Sequence, residues 1–220
     1  MRKITSFETV SEAELGRGGF LVLKRFVLRN VYDDGTRSRE YHVDYVERPK
    51  GLDAVVVAVY RRRSGGAVEV LVRGQLRPSV HLGRQRQAAA VPDGPLPLLS
   101  AELVAGLVEP GDRGEEGLRR RAVAEVLEEV GYTVEPEALQ KLGEGTFPSA
   151  GVIAERHLYF AVDVTERTPR APEGDGSPLE DSDVSHWVPL DAAVAACAGG
   201  QLSDSKSEIA LRRLRERLQS

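Results

Sequence analysis

Cysteine is almost missing from this chain: Cys197 stands alone among 220 residues. One thiol excludes an intrachain disulfide and any zinc site built on cysteines. Long apolar runs are missing too. None approaches the roughly 20 residues that span a bilayer, and Met1 to Val10 lacks the apolar stretch of a secretory signal. The expectation is a cytoplasmic protein with no membrane partner. Aromatic residues make up only 5%, and Trp187 is the one tryptophan. There is no surplus of basic charge either, because 30 Lys and Arg face 34 Asp and Glu, a net charge of −4. Scattered aromatics and a mildly acidic balance exclude nucleic acid as the expected partner.

What remains is an ordinary globular composition, 41% hydrophobic and 29% charged, with too much apolar content for wholesale disorder. A chain of this length makes one domain, or one domain with an appendage, and can bury its own core. Residues 1–18 are polar with weak helical character. Phe20 to Leu28 reads as a strand, Asp33-Asp34-Gly35 as a turn and Tyr41 to Val46 as a second strand, together a hairpin. Leu52 to Tyr60 is a continuous β-branched run of the kind buried on both faces of a sheet. Ser64-Gly65-Gly66 turns the chain into a strand at Val68 to Val72. His81 to Pro97 has no period and reads as an exposed loop. Leu98 to Val108 reads as one strand.

Glu115 to Val130 is the strongest helix, stopped by Gly131. Leu158 to Val164 and His186 to Pro189 read as strands, separated by a Pro-, Gly- and acid-rich loop from Thr168 to Asp183. Leu190 to Ala198 is a short helix. A last amphipathic helix, capped by Ser203, carries Ile209, Leu211, Leu214 and Leu218 near one stripe. Many strands with two or three helices predict a mixed α/β or α+β fold. The first fifty residues form a candidate β-appendage (1–50), leaving 51–220 as the main domain.

The chemistry concentrates in Ala105 to Tyr132. Glu125, Glu128 and Glu129 stand at i, i+3 and i+4, which puts three carboxylates on one helical face. Like charges at this spacing repel, unless water or a divalent cation sits among them. Hard cations such as Mg²⁺ take oxygen ligands and bridge carboxylates to phosphates. A second reading uses the same residues: Glu115 with Arg119, Glu116 with Arg120 and Arg121 with Glu125 are spaced to pair along a solvated helix. His186 has no second His or Cys placed to complete a triad or zinc site and reads as structural. Cys197, on an Ala-rich helix, reads as a core residue.

The segment Ala124-Glu125-Val126-Leu127-Glu128-Glu129-Val130-Gly131-Tyr132 resembles the second half of the Nudix box, G-x5-E-x7-R-E-U-x-E-E-x-G-U. Glu125, Glu128, Glu129 and Gly131 fall on its E, E, E and G, and Gly106 is similar to its leading Gly. Glu102-Leu103-Val104-Ala105-Gly106 resembles the E-L-P-A-G entry of the ADP-ribose and nucleotide-sugar pyrophosphatase branch. Leu71 to Pro78 resembles that branch's strand ending in Q-x-R-P. Phe147 to Glu155, Trp187-Val188-Pro189-Leu190 and Asp204-Ser205-Lys206-Ser207 are similar to its later motifs, in the right order. The box arginine is Ala124 here, with Arg120 or Arg121 as substitutes from the previous turn. The loop is also longer, leaving Glu116 or Asp112 for the box's first acid.

The resemblance implies a Nudix-like α/β/α sandwich with a mixed sheet and an antiparallel N-terminal β-appendage. It also implies Mg²⁺-dependent hydrolysis (Mn²⁺ as an alternative) of ADP-ribose or a nucleotide sugar to a nucleoside monophosphate and a sugar phosphate. Metal ligands would be Glu125, Glu128, Glu129, the Ala105 carbonyl and Glu116. Glu128 also enters the catalytic set. Glu180, in the acidic loop, would be the general base, with Glu173 and Asp181 as alternates. Arg77, Glu102 and Gly106 would bind substrate, and Glu155 takes either an ion-pair or a catalytic role. The appendage implies a homodimer. Two other readings remain open: a Nudix hydrolase of another dinucleotide or coenzyme, and a catalytically silent nucleotide sensor of the same fold.

Overall fold

The computed structural model describes residues 2–86, 90–91, 94, 96–172 and 184–219. Residues 1–53 and 147–156 form one compact unit, and 54–146 with 157–220 form another.

The first unit is a three-stranded antiparallel sheet in the order β1 (Ile4–Arg17), β2 (Val22–Tyr32), β3 (Tyr41–Glu47). β2 and β3 form the hairpin expected from the sequence, with Val22 paired to Glu47 and Leu28 to Tyr41. Gly35 takes the left-handed conformation that the turn requires (φ 78°). The polar first residues overturn their expected helical character, because β1 is a 14-residue strand. Its stabilisation comes from neighbours rather than from local propensity. Glu12 pairs with Lys24 of β2 at 2.8 Å, and Glu8 with Arg37 of the β2–β3 connection at 2.6 Å. The distant stretch 147–156 joins this unit, with the Val46 N–H donating to the Val152 carbonyl at 2.7 Å. Arg48 grips Glu155 through two hydrogen bonds of 2.9 Å.

The second unit is built on a mixed sheet in the order β10 (Ser185–Pro189), β5 (Val68–Leu76), β4 (Ala54–Arg62), β9 (His157–Asp163), β8 (Gln140–Lys141). Two short strands lie off that path: β6 (Leu99–Glu102) pairs with β5 and β7 (Val104–Leu107) with β4. The central β4 is apolar along nearly its whole length because both its faces are covered. Val55, Val57 and Val59 pack with Ala122, Val126 and Val130 of α2 (Gly114–Val130). Val56, Ala58 and Tyr60 pack with Val194 of α3 (Leu190–Ala198) and with Leu211 and Leu214 of α4 (Ser205–Gln219). The result is the α/β/α sandwich. Cys197 lies in this second cluster, and burial pushes its thiol upward.

Three local expectations change. The single strand read at 98–108 is two strands that break at Leu103, because the chain passes from pairing with β5 to pairing with β4. The exposed loop read from His81 begins instead as helix α1 (Pro78–Arg86), which buries no residue and so shows no apolar period. Asp204, not Ser203, caps α4: its Oδ2 accepts the Ser207 N–H at 3.0 Å and its carbonyl accepts the Glu208 N–H at 3.1 Å. Gly131 does close α2, at φ 75°, donating to the Leu127 carbonyl. Among the described residues no helix is long and apolar enough to cross a membrane.

Candidate active site

The break at Leu103 sets the geometry. It lays β7 against α2, so that side chains one helical turn apart meet consecutive backbone positions. Glu125 meets Gly106. A Cβ on Gly106 would coincide with the Glu125 carboxylate, so only glycine leaves room for it. Glu129 meets Ala105, whose N–H donates to its Oε2 at 3.1 Å. Glu129 is buried, and a buried carboxylate requires a cation or several donors. That cation is Arg73 of β5, itself 3% exposed, which pairs with Glu129 Oε1.

Glu125 lies 3.7 Å from Arg121. Arg121 also holds Asp112 at 2.9 Å and Glu109 at 3.0 Å. The loop before α2 is therefore tied to the helix through one guanidinium. Gly117 permits this fold-back, since a Cβ there would strike the Asp112 backbone. Burial would raise the Asp112 carboxyl, but the Arg121 hydrogen bond and the Glu109 N–H hold it below the usual carboxylate range. Between the two acids left open for the loop, Asp112 is thus the one that meets an arginine of the site. Glu116 points outward with its side chain 85% exposed and pairs with Arg120 at 2.5 Å. Glu115 pairs with Arg119 at 2.9 Å. The ion pairs expected of a solvated helix exist on that outer side. Glu128 is exposed and makes no hydrogen bond among the described residues. The three glutamates therefore divide: two are seated on β7 and one faces water.

A second cluster adjoins the first along β5 and β6. Glu102, 4% exposed, accepts Arg77 Nε at 2.7 Å and Nη2 at 2.6 Å, and Lys206 Nζ at 2.5 Å. Burial alone would raise its carboxyl. The Arg77 hydrogen bonds and the Lys206 charge outweigh burial and lower it to about 2. Lys206 also donates to Asp204 at 3.0 Å. The Ser207 hydroxyl bonds Asp204 Oδ2 at 2.5 Å and accepts the Leu103 N–H at 2.8 Å. The Asp204-Ser205-Lys206-Ser207 motif is thus a latch from the start of α4 to the β6–β7 break.

Among the described residues, the groups beside Gly106 that could ligate a metal are carboxylate and peptide oxygens, the kind a hard divalent cation takes. Glu125 is cradled where a Cβ would stand. In donor type and seating the residues fit such an ion. Among the described residues no three acidic, His or Cys side chains gather closely enough to hold one by themselves. Glu155 lies in the first unit, on Arg48. His186 is exposed on β10, beside Trp187, whose ring stacks under Arg61 at 4.2 Å. Glu180, Glu173 and Asp181 lie outside the described residues.

Two residues of these clusters escape the sequence reading. Arg73 is a lone cation on an otherwise apolar stretch of β5, and that interruption was its signal. Lys206 lay in a quoted motif, with nothing in the spacing to say that it reaches Glu102.

The NUDIX domain pattern matches residues 53–207. The chain belongs to the Nudix family. This Nudix protein is similar over its whole length to a solved ADP compounds hydrolase. Identity there is 16%, the TM-score is 0.67, and the alignment covers 100% of this chain and 97% of the other. At that identity the likeness speaks for the fold. A Nudix hydrolase from Alicyclobacillus acidocaldarius aligns at 15% identity and a TM-score of 0.48, over 73% of this chain and 89% of its own. Comparison with curated protein sequences gives no match. Members of this family generally use divalent metal ions and act on small nucleotide substrates.

Proposed function

We propose that this Nudix hydrolase cleaves the pyrophosphate bond of a nucleoside diphosphate derivative, ADP-ribose or a nucleotide sugar, giving a nucleoside monophosphate and a sugar phosphate. The observation that carries the reading is the seating of Glu125 and Glu129 on Gly106 and Ala105. Two carboxylates one turn apart face one strand there, beside a cluster that offers an arginine to an anion. Glu125, Glu129 and the Ala105 carbonyl would hold Mg²⁺, or Mn²⁺ in its place, with Glu128 at the solvent side. Bound there, the ion would neutralise charge developing on the diphosphate and acidify an attacking water.

The chain's own groups do the rest. Arg77 uses Nε and Nη2 on Glu102, and its side chain is 42% exposed. Its Nη1 makes no hydrogen bond among the described residues and is the donor for a phosphate oxygen. Glu180 takes the proton from water. The reach suits it. The Val184 carbonyl accepts the Gly74 N–H at 3.1 Å, next to Arg73, and the four residue steps from Glu180 to Val184 span at most roughly 14 Å. An ADP-containing substrate agrees with the likeness to a solved ADP compounds hydrolase.

The first unit is the proposed dimerisation element of a homodimer. Ile4, Phe7, Val10 and Leu15 of β1 are all exposed there.

The test is incubation with ADP-ribose or UDP-glucose and Mg²⁺, with and without EDTA, while measuring released AMP or UMP. Metal-dependent release supports the reading. Glu129→Gln lowers it by at least about 100-fold, as expected when a charged ligand group is lost, whereas Glu116→Gln leaves it within about twofold because that side chain is solvated. Turnover of Glu129→Gln near the wild-type rate sinks the assignment. A second reading has one observation behind it: Arg73 and Arg121 already neutralise the two seated glutamates. A nucleotide sensor would bind ADP-ribose and release no AMP in the same assay.

A further inference from the structure

The cluster around Glu102 has an arrangement that the reaction scheme above leaves unexplained. It holds four charged groups: Arg77, Glu102, Lys206 and Asp204. Three are inside, with side chains exposed by 5% for Glu102, 12% for Lys206 and 16% for Asp204. The fourth, Arg77, is 42% exposed. Burying three charges to support one surface arginine costs desolvation, and a latch of apolar residues would join α4 to the sheet at least as well. The expense makes sense if the arginine must be aimed.

Lys206 is the group that makes aiming possible. Glu102 Oε2 accepts both Arg77 Nη2 and Lys206 Nζ. The ammonium pins that oxygen from the inner side and fixes the plane of the carboxylate. A fixed carboxylate plane fixes the guanidinium plane through the paired Nε and Nη2 bonds. Lys206 also offsets the negative charge that Glu102 would otherwise set against an incoming anion. Its own counter-charge, Asp204, faces the N-terminus of α4, whose peptide dipoles favour an anion. The cluster therefore shows the solvent one oriented cationic edge.

We propose that Lys206 is a positioning residue for the diphosphate: through Glu102 it orients Arg77 and keeps its outer edge positive, without touching the substrate. This rests on Arg77 being the phosphate contact. It goes beyond that assignment by placing a determinant of diphosphate affinity on α4, one side chain removed from the phosphate contact.

Inorganic pyrophosphate is the probe, titrated calorimetrically into the full chain without added metal, alongside KM and kcat for ADP-ribose with Mg²⁺. Lys206→Gln keeps a hydrogen-bond donor to Glu102 and removes only the charge. The expected result is pyrophosphate binding weaker by about tenfold and KM raised similarly, with kcat within about twofold. Lys206→Arg restores both to within about threefold of wild type. Should Lys206→Gln fail to fold, Asp204→Asn with Lys206→Gln carries the same readout. Asparagine caps a helix as well as aspartate does, and that double change removes one charge of each sign. Unchanged pyrophosphate affinity in a folded variant overturns the proposal, as does a fall in kcat alone. A wild type that binds pyrophosphate in a Lys206-dependent way but hydrolyses nothing refutes the hydrolase reading and keeps this one. A wild type that hydrolyses ADP-ribose with pyrophosphate affinity indifferent to Lys206 does the reverse.

Discussion

Gly106 owes its identity to Glu125. The carboxylate occupies the volume of the missing Cβ, so Gly106→Ala drives it out of the position it holds beside β7. The expected outcome is loss of at least about 100-fold in kcat, since misplacement of about 1 Å costs that much. Far-UV circular dichroism should be unchanged. Activity within tenfold of wild type would show that Glu125 is not needed where it sits. Glu102 gives a prediction in pH. Its carboxyl lies at about 2 in the folded protein against an ordinary 4.5, so the stabilisation is complete above 4.5 and is lost as pH falls towards 2. Glu102→Gln should be less stable by about 3 kcal/mol at pH 7, because Arg77 and Lys206 lose a buried partner. The gap in denaturation midpoint should narrow between pH 4.5 and 2; a gap that stays constant contradicts the charge assignment.

At the scale of elements, legibility followed burial. Strand β4 declared itself through a run of β-branched residues because both its faces are covered. Helix α2 did so through its length and its glycine stop. Strand β1 stayed hidden because only one of its residues is even half-buried, and cross-sheet ion pairs leave no apolar alternation to read. Helix α1 was hidden for the same reason. The acids of the site were legible as a spacing, and so was the Arg121 partner of Glu125, but the cations on Glu129 and Glu102 were not. Arg73 and Lys206 reach Glu129 and Glu102 across the fold, from strand and helix positions distant in sequence. The end of α2 carries its own prediction. Gly131 has φ 75°, and a Cβ on it would collide with the Arg170 carbonyl; Gly200 has φ 79° and open space around it. Gly200→Ala should cost about 1–2 kcal/mol, the left-handed penalty alone. Gly131→Ala should cost more, and equal losses in urea unfolding would show that Arg170 gives way freely.

At the scale of the molecule, the first unit exposes Ile4, Phe7, Val10 and Leu15 along a strand whose pairing is satisfied on one side only. Exposed apolar residues on an edge strand invite pairing. If the proposed homodimer forms through this strand, Phe7→Glu converts it to monomer in analytical ultracentrifugation at micromolar concentration; a wild type already monomeric there rules out the homodimer. The route of the chain has another consequence. It returns at 147–156 to complete the first unit, where Arg48 clasps Glu155. A protease that cuts once between Arg48 and Asp53 would leave two fragments still clasped together. Deleting the amino-terminal fifty residues would strand the stretch that feeds the parallel partner of the central strand. What reads along the sequence as an extension of fifty residues is closed by ten residues that follow it by nearly a hundred positions, so its boundary is set by contacts and not by chain order.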